Sequence, residues 1–275
     1  MDQSSRPTYI EASAPKAIDA VQSFIHKCNA IEQQVQPYQR LIEPVLTPRF
    51  VPTCSDELLS GLGQLSASHD LLVQSHMAES HDEVEWVRQQ RKMEDIDVFD
   101  KARQILNRSC FPVNLLSSQH GLLTNRTIQA HCTFLDQPML NRVAVRGTAI
   151  AHCPLSNAYF SAELFPLREA LRDGVRVGLG TDIAGGYDIN IMSAMRHAVT
   201  VSRMREGGRI MADSRGKSKP ALEDSTSTGP LSINWKEALY LATRGGAEAL
   251  RLKSGVLRVG APFDAQQSEC IPALE

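Results

Sequence analysis

The chain has 275 residues, of which 42% are hydrophobic, and a formal net charge of -2. This length allows one large domain with a full core, and the near-neutral charge gives no basis for nucleic acid or an anionic membrane as partner. The sequence shows no secretory signal and no apolar run long enough to cross a membrane. Because six cysteines occur without a Cys-x-x-Cys pair, we expect reduced thiols and a cytoplasmic protein.

Apolar runs that end at turn residues alternate with segments in which apolar residues recur at helical spacing. The runs predict strands at Leu41–Leu46, Leu71–Ser75, Thr127–Ala130, Thr148–Ala151 and Val175–Leu179. The helical spacing predicts helices at Pro15–Gln34, Asp56–Ser66, Gln137–Arg146, Ala162–Arg172, Ile189–Arg205 and Trp235–Leu252. Ser55 is the candidate cap of the second helix, and a Ser80–Glu83 capping box begins one more helical segment. Gly245-Gly246 interrupts the last helix.

Alternating strands and helices predict an α/β protein with a parallel sheet. A closed TIM-type (β/α)8 barrel needs eight strands, so about five βα units predict a partial barrel over residues 1–252. The polar stretch 215–232 is predicted to be a disordered insertion. Residues 253–275 are interpreted as the start of a small β-sandwich, with a hairpin at Gly255–Gly260 and an atypical polar tail.

Residues that bind metals follow three of the predicted strands. His76 and His131 each end a strand, and Asp182 follows a Gly-rich strand end. The carboxyl ends of parallel strands meet at one edge of a barrel, so these side chains should converge there. Glu79, three residues after His76, adds an acid/base group beside a metal ligand, which suits hydrolysis.

Each of these residues also has a structural explanation. A strand-end His is often buried and hydrogen-bonded, a Glu near a helix start favours the helix dipole, and Asp often caps a helix. The set favours a functional site, because four strand ends carry His or Asp once His152 is included. Cys153, next to it, is interpreted as a packed thiol. The chain has no His-x-His pair, although a zinc site usually has three or more protein ligands.

Longer motifs carry a family resemblance that covers roughly Met1 to Asp264. The chain resembles the guanine deaminases of the amidohydrolase superfamily. The matching segments are Thr47–Phe50, Gln74–Glu79, Ala130–Cys132, Ala151–Asn157, Leu164–Arg168 and Gly178–Tyr187. The resemblance implies hydrolysis of guanine to xanthine and ammonia by a zinc enzyme with one ion in each complete site.

The resemblance also implies residue roles. His76 and Asp182 would be zinc ligands, and Asp182 would in addition accept the proton of the attacking water. Glu79 would protonate a ring nitrogen and pass a proton to the leaving amine, and His131 would orient the nucleophile.

Further implications concern the substrate and the assembly. Arg49 would bind the purine oxygen and Phe50 would pack on the purine face, so that with His76, Glu79 and Asp182 these residues would contact guanine. A homodimer is expected for the complete protein.

The chain departs from the family pattern in lacking the His-x-His pair and a purine-binding Gln that follows it. We therefore expect an N-terminally truncated chain that binds zinc poorly and is nearly inactive alone. Two alternatives remain open: a non-catalytic fragment that pairs with another subunit, and a related amidohydrolase that acts on another aminopurine or on a triazine.

Overall fold

A parallel sheet of five strands in the order β1-β2-β3-β4-β5 organises the computed structural model, which describes residues 1–3, 6–36, 42–101, 121–215, 229–263 and 265. The strands are β1 Val45–Leu46, β2 Leu72–Met77, β3 Thr127–His131, β4 Ala149–His152 and β5 Arg176–Leu179. Each strand pairs in parallel with the next along the chain. Sequential parallel order is that of a (β/α) barrel, so the predicted partial barrel is confirmed.

Helices follow the strands and cover the sheet. They are α1 Ala14–Glu32, α2 Asp56–His69, α3 His81–Arg91, α4 Asp95–Lys101, α5 Gln137–Arg146, α6 Pro154–Ser156, α7 Leu167–Arg172, α8 Ile191–Ser214, α9 Trp235–Tyr240 and α10 Gly246–Ala249. The Ser55 hydroxyl accepts a hydrogen bond from the Leu58 amide at 3.1 Å, so the predicted cap of α2 is confirmed. No helix in the described ranges is long and apolar enough to cross a membrane.

The core lies between the sheet and the helices that pack on it. Buried strand residues belong to one hydrophobic cluster with buried leucines and valines of α2, α3 and α5. The largest fully buried apolar side chains are Phe99, Phe165, Met77, Ile96, Leu122, Leu140, Ile150 and Leu241. This core holds the strands in place, and the candidate site lies at their carboxyl ends.

The last predicted helix is nearly continuous despite its two glycines. A π-helical turn, Leu241–Gly245, joins α9 to α10. Glycine is needed because this turn lies directly against β5: a Cβ on Gly245 would be 2.7 Å from the Val177 carbonyl oxygen. The Gly pair therefore marks a close approach to the sheet and not a helix end.

Several predicted boundaries were wrong. The helix predicted from Ala162 begins only at Leu167, because Ala162 has left-handed backbone (φ 51°) and Pro166 precedes α7. The hairpin predicted at Gly255–Gly260 is not formed: the described residues 253–263 contain bends and turns without a strand. Of the strand predicted over Leu41–Leu46, only Val45–Leu46 forms, because residues 42–44 are described without a strand and Leu41 lies outside the described residues. Most of the predicted insertion and nearly all of the polar tail also lie outside the described residues.

We predict that Gly178→Ala destabilises the protein by about 1–3 kcal/mol, because the new Cβ would lie 2.9 Å from the Gly246 Cα on the π-turn side of β5. Gly207→Ala is the matched control. No atom lies within 4 Å of a Cβ built at Gly207 in α8, so this change should stabilise by up to about 1 kcal/mol. Urea unfolding of both variants checks the difference, and equal stabilities would contradict it.

Candidate active site

Three predicted site residues meet at the carboxyl edge of the sheet. His131 ends β3, Asp182 follows β5, and Glu79 lies in the loop after β2. One ligand atom from each of these residues lies within 4.8 Å of the other two. Of the convergence predicted for His76, His131 and Asp182, the structure shows the meeting of His131 and Asp182, with Glu79 beside them, and His76 is not in this group.

Register explains the convergence. Met77 of β2 pairs with His131 of β3, so the loop that carries Glu79 begins level with His131. Ala151 of β4 pairs with Gly178 of β5, which sets the height at which the chain leaves toward Asp182. Because side chains alternate faces, a slip of one residue in either pairing would turn the site residues away from each other.

The backbone takes left-handed conformations at the ends of these strands. Positive φ occurs at Ala78 (48°), His131 (68°), Cys132 (54°) and Asp182 (51°). Such values are costly for non-glycine residues and cluster at functional sites. Gly185 adds to the tight turn, since a Cβ there would collide with the Asp182 carboxylate.

His76 is held by the backbone of the preceding βα loop. Its Nδ1 donates to the Arg49 carbonyl at 2.7 Å, and its amide donates to the same oxygen at 3.0 Å. A protonated Nδ1 leaves the lone pair on Nε2, the form that binds metals. Burial lowers the pKa of His76, which keeps the ring neutral. The ring stacks on that of His131, with centroids 5.4 Å apart.

His131 is almost fully buried, at 1% exposure, and its orientation is also fixed. Nδ1 donates to Oδ1 of Asn157 at 2.9 Å, so Nε2 carries the lone pair. That nitrogen lies 3.5 Å from Oε1 of the half-exposed Glu79. The two atoms face each other, so both are placed to bind one cation or one hydrogen-bond donor.

Arg49 and Phe50 lie in the loop after β1, beside His76. Phe50 is half-buried, and Arg49 is exposed. Within the described ranges the Arg49 guanidinium forms no hydrogen bond or ion pair, so it is available to a ligand. The carbonyl of Arg49, by contrast, fixes the His76 ring, a contribution that sequence reasoning missed.

His152 and the two cysteines beside the site are packed groups. His152, at 1% exposure, lies with its ring centroid 4.9 Å from that of Phe165, and burial lowers its pKa to about 3. Burial also raises the pKa of the Cys153 thiol to about 12 and that of Cys132 well above its usual value. Neutral buried thiols are poor metal ligands, which agrees with the interpretation of Cys153 as packed.

The donor set fits a zinc ion. Carboxylate oxygen and imidazole nitrogen are common zinc ligands, and Glu79, His131 and Asp182 supply both types within 4.8 Å. The set predicted from the resemblance, His76 and Asp182, overlaps with this group only in Asp182. His76 is adjacent, stacked on His131, and its ligand assignment stays a prediction.

The amidohydrolase family pattern matches residues 8–266 of the chain. The chain belongs to the amidohydrolase family. It is 31% identical over 269 residues to a probable guanine deaminase of Schizosaccharomyces pombe, a match that covers 96% of this chain and 44% of that protein. It is 34% identical over 239 residues to the guanine deaminase of Mus musculus, which covers 86% of this chain and 45% of that protein.

A solved structure, the guanine deaminase of C. acetobutylicum with bound guanine in its active site, is similar to this amidohydrolase. The TM-score is 0.70 at 27% identity, over 94% of this chain and 52% of that chain. The chain therefore spans about half the length of the curated relatives it matches, 44% for the first of them.

Sequence reasoning named the residues that meet at this edge of the amidohydrolase and missed the groups that orient them. Sequence analysis named Asn157 only as the end of a matching segment, yet its side chain fixes the tautomer of His131. The available signal was its position five residues after His152, which ends β4. This spacing does not predict which side chain of the loop reaches His131, because that depends on the π-helical turn Asn157–Ser161.

We predict that His152 makes the amidohydrolase sensitive to acid. The folded state holds His152 neutral with a pKa of about 3, whereas the unfolded chain takes up a proton below about pH 6.5. Stability from this residue is thus present above pH 6.5 and lost as pH falls. Between pH 7 and 5 wild type should lose about 2 kcal/mol more than His152→Leu. Urea unfolding at both pH values checks this, and equal losses would contradict it.

Proposed function

We propose that this amidohydrolase carries the site for zinc-dependent hydrolysis of guanine to xanthine and ammonia, a step of purine breakdown. The observation that carries the proposal is the meeting of Glu79, His131 and Asp182 within 4.8 Å at the carboxyl edge of the sheet. The substrate comes from the relatives, since guanine deaminases match over 86–96% of the chain at 31–34% identity.

Zinc would be held by His76 through Nε2 and by the Asp182 carboxylate. Both are suited to this, because the Arg49 carbonyl leaves the His76 lone pair on Nε2, and Gly185 lets the Asp182 carboxylate lie against its own turn. When bound, zinc supplies a Lewis acid that lowers the pKa of a coordinated water to about 7.

Protons are moved by the two carboxylates. Asp182 accepts one proton from the attacking water. Protonated Glu79 donates its proton to a ring nitrogen of guanine as the water oxygen bonds to the carbon. The Glu79 carboxylate then takes the second proton of that oxygen and passes it to the amine, so that the C–N bond breaks and ammonia leaves. The proton held by Asp182 returns to Glu79. Glu79 is suited to this role because it is 29% exposed and so touches both the buried His131 and solvent.

His131 orients the attacking water. Its ring cannot rotate freely, since it is buried, bonded to Asn157 and stacked on His76. Because Nδ1 is the donor to Asn157, Nε2 presents an acceptor to the water. A ring held in this way would set the direction of attack before substrate binds, which is the contribution that preorganised groups make to catalysis.

Guanine would be bound by the β1 loop. The Arg49 guanidinium, unpaired within the described residues, donates to the purine oxygen, and half-buried Phe50 packs on the ring. A guanidinium presents two parallel donors to a carbonyl oxygen, which a Lys cannot do.

A second candidate, association with another subunit, rests on the sheet edges. In the part of the chain that the structure describes, β1 pairs only with β2 and β5 only with β4. Unpaired strand edges recruit other strands. Such an association would complete the assembly, whether as a homodimer or with another chain.

We predict that Glu79→Gln abolishes deamination while zinc binding is retained. The amide keeps the shape and cannot transfer the proton, so kcat should fall by about 10²–10⁴-fold. Xanthine formation, measured with excess zinc, and zinc content by mass spectrometry check the split. Glu85→Gln, on α3 beyond the site, is the control and should keep wild-type turnover.

Turnover by the chain alone should be low but measurable, because two predicted zinc ligands are fewer than the usual three. His76→Ala should lower zinc affinity further. A folded, zinc-saturated chain that forms no xanthine, or that acts on a chlorotriazine and not on guanine, would overturn the proposed reaction. No turnover together with a stable oligomer in size-exclusion chromatography would favour the second candidate.

A further inference from the structure

Two buried carboxyl groups lie behind the loop that carries Glu79. Glu83 in the first turn of α3 is 7% exposed, and Asp95 at the start of α4 is 2% exposed. Oε1 of Glu83 and Oδ1 of Asp95 have no hydrogen-bond partner within the described residues. Buried carboxyl oxygens without a partner are uncommon and call for an explanation.

Glu83 bonds the backbone of the site loop. Its Oε2 accepts a hydrogen bond from the Glu79 amide at 2.8 Å, and its own amide donates to the Ser80 hydroxyl at 3.2 Å. In an ordinary capping box the N3 Glu would bond the amide of the cap residue, here Ser80. Glu83 instead reaches one residue further back, to Glu79.

The rest of the loop is fixed from β3. The Cys132 amide donates to the Met77 carbonyl at 2.9 Å, and the Phe134 amide donates to the Ala78 carbonyl at 3.2 Å. Ala78 itself has left-handed backbone. The loop is therefore tied on one side to the β3 end and on the other to the Glu83 carboxyl.

Burial disfavours ionisation of both carboxyl groups. Together with the charge of Asp95 it raises the pKa of Glu83 to about 8, and it raises the pKa of Asp95 to about 7.

We infer that Glu83 is a positioning residue that fixes the Glu79 backbone and so places the Glu79 carboxylate against His131 and Asp182. The inference rests on the proposed function only for its kinetic consequence. In structural terms, the role of the buried Glu83 carboxyl is to accept the hydrogen bond of the Glu79 amide, and not to cap α3.

Amide hydrogen exchange on the wild-type chain provides the first test. The Glu79 amide precedes α3 and has no backbone acceptor among the bonds described above, so its protection depends on Glu83. It should exchange at least about tenfold more slowly than an unbonded loop amide. A wild-type Glu79 amide that exchanges as fast as such an amide would overturn the inference without any variant.

Three variants provide the second test. Glu83→Met keeps the length of the side chain and removes the acceptor, so protection of the Glu79 amide should fall about tenfold while the interior amides of α3 keep theirs. Glu83→Gln keeps an acceptor oxygen and should restore most of the protection. Glu85→Met, two residues along the same helix, is the control and should leave Glu79 unchanged. If Glu83→Met lowers the exchange protection of all α3 amides as much as that of Glu79, then Glu83 acts only as a cap of α3, and the inference is wrong.

Kinetics separate this inference from the proposed function. With zinc in excess, Glu83→Met should lower kcat about tenfold or more with little change in KM, and Glu83→Gln should recover it. If wild type forms no xanthine, the proposed function fails and the exchange result still decides the role of Glu83. If wild type forms xanthine and Glu83→Met does so at the same kcat, the positioning role fails alone.

Discussion

In-register parallel pairing of the strands is the constraint on which the site depends. Met77 lies opposite His131, and Ala151 lies opposite Gly178, so the chain leaves β2, β3 and β5 at one edge and at matched heights. The pairing itself depends on the core beneath it. Gly178 and the π-helical turn beside it let the last helices lie directly on β5, which holds the edge strand in this register.

Backbone and buried polar groups, more than contacts between the reactive side chains, set the geometry at this edge. The Arg49 carbonyl orients His76, and the side-chain oxygen of Asn157 orients His131. The Glu83 carboxyl accepts a hydrogen bond from the backbone amide of Glu79. Burial then decides the protonation states, since it keeps the His76 ring and the nearby thiols neutral. A site arranged in this way is preorganised, because the supporting groups have no freedom of their own.

Membership of the amidohydrolase family gives these groups a chemical context. Its guanine deaminase members match the chain over nearly all of its length and over about half of theirs, 44% for the S. pombe protein. In the described part of the chain β1 and β5 are edge strands, and the predicted zinc set has two members.

The sequence by itself determined the parallel α/β class, four of the five strands to within two residues, and the residues able to carry chemistry. Periodicity and strand-end His and Asp are local signals, and the core and register reinforce them. Only the tertiary structure decided that α7 starts at Leu167 and that no hairpin forms at Gly255–Gly260. It also decided that Glu79, and not His76, lies in one group with His131 and Asp182. These outcomes depend on which distant groups pack and bond, and no local pattern encodes that.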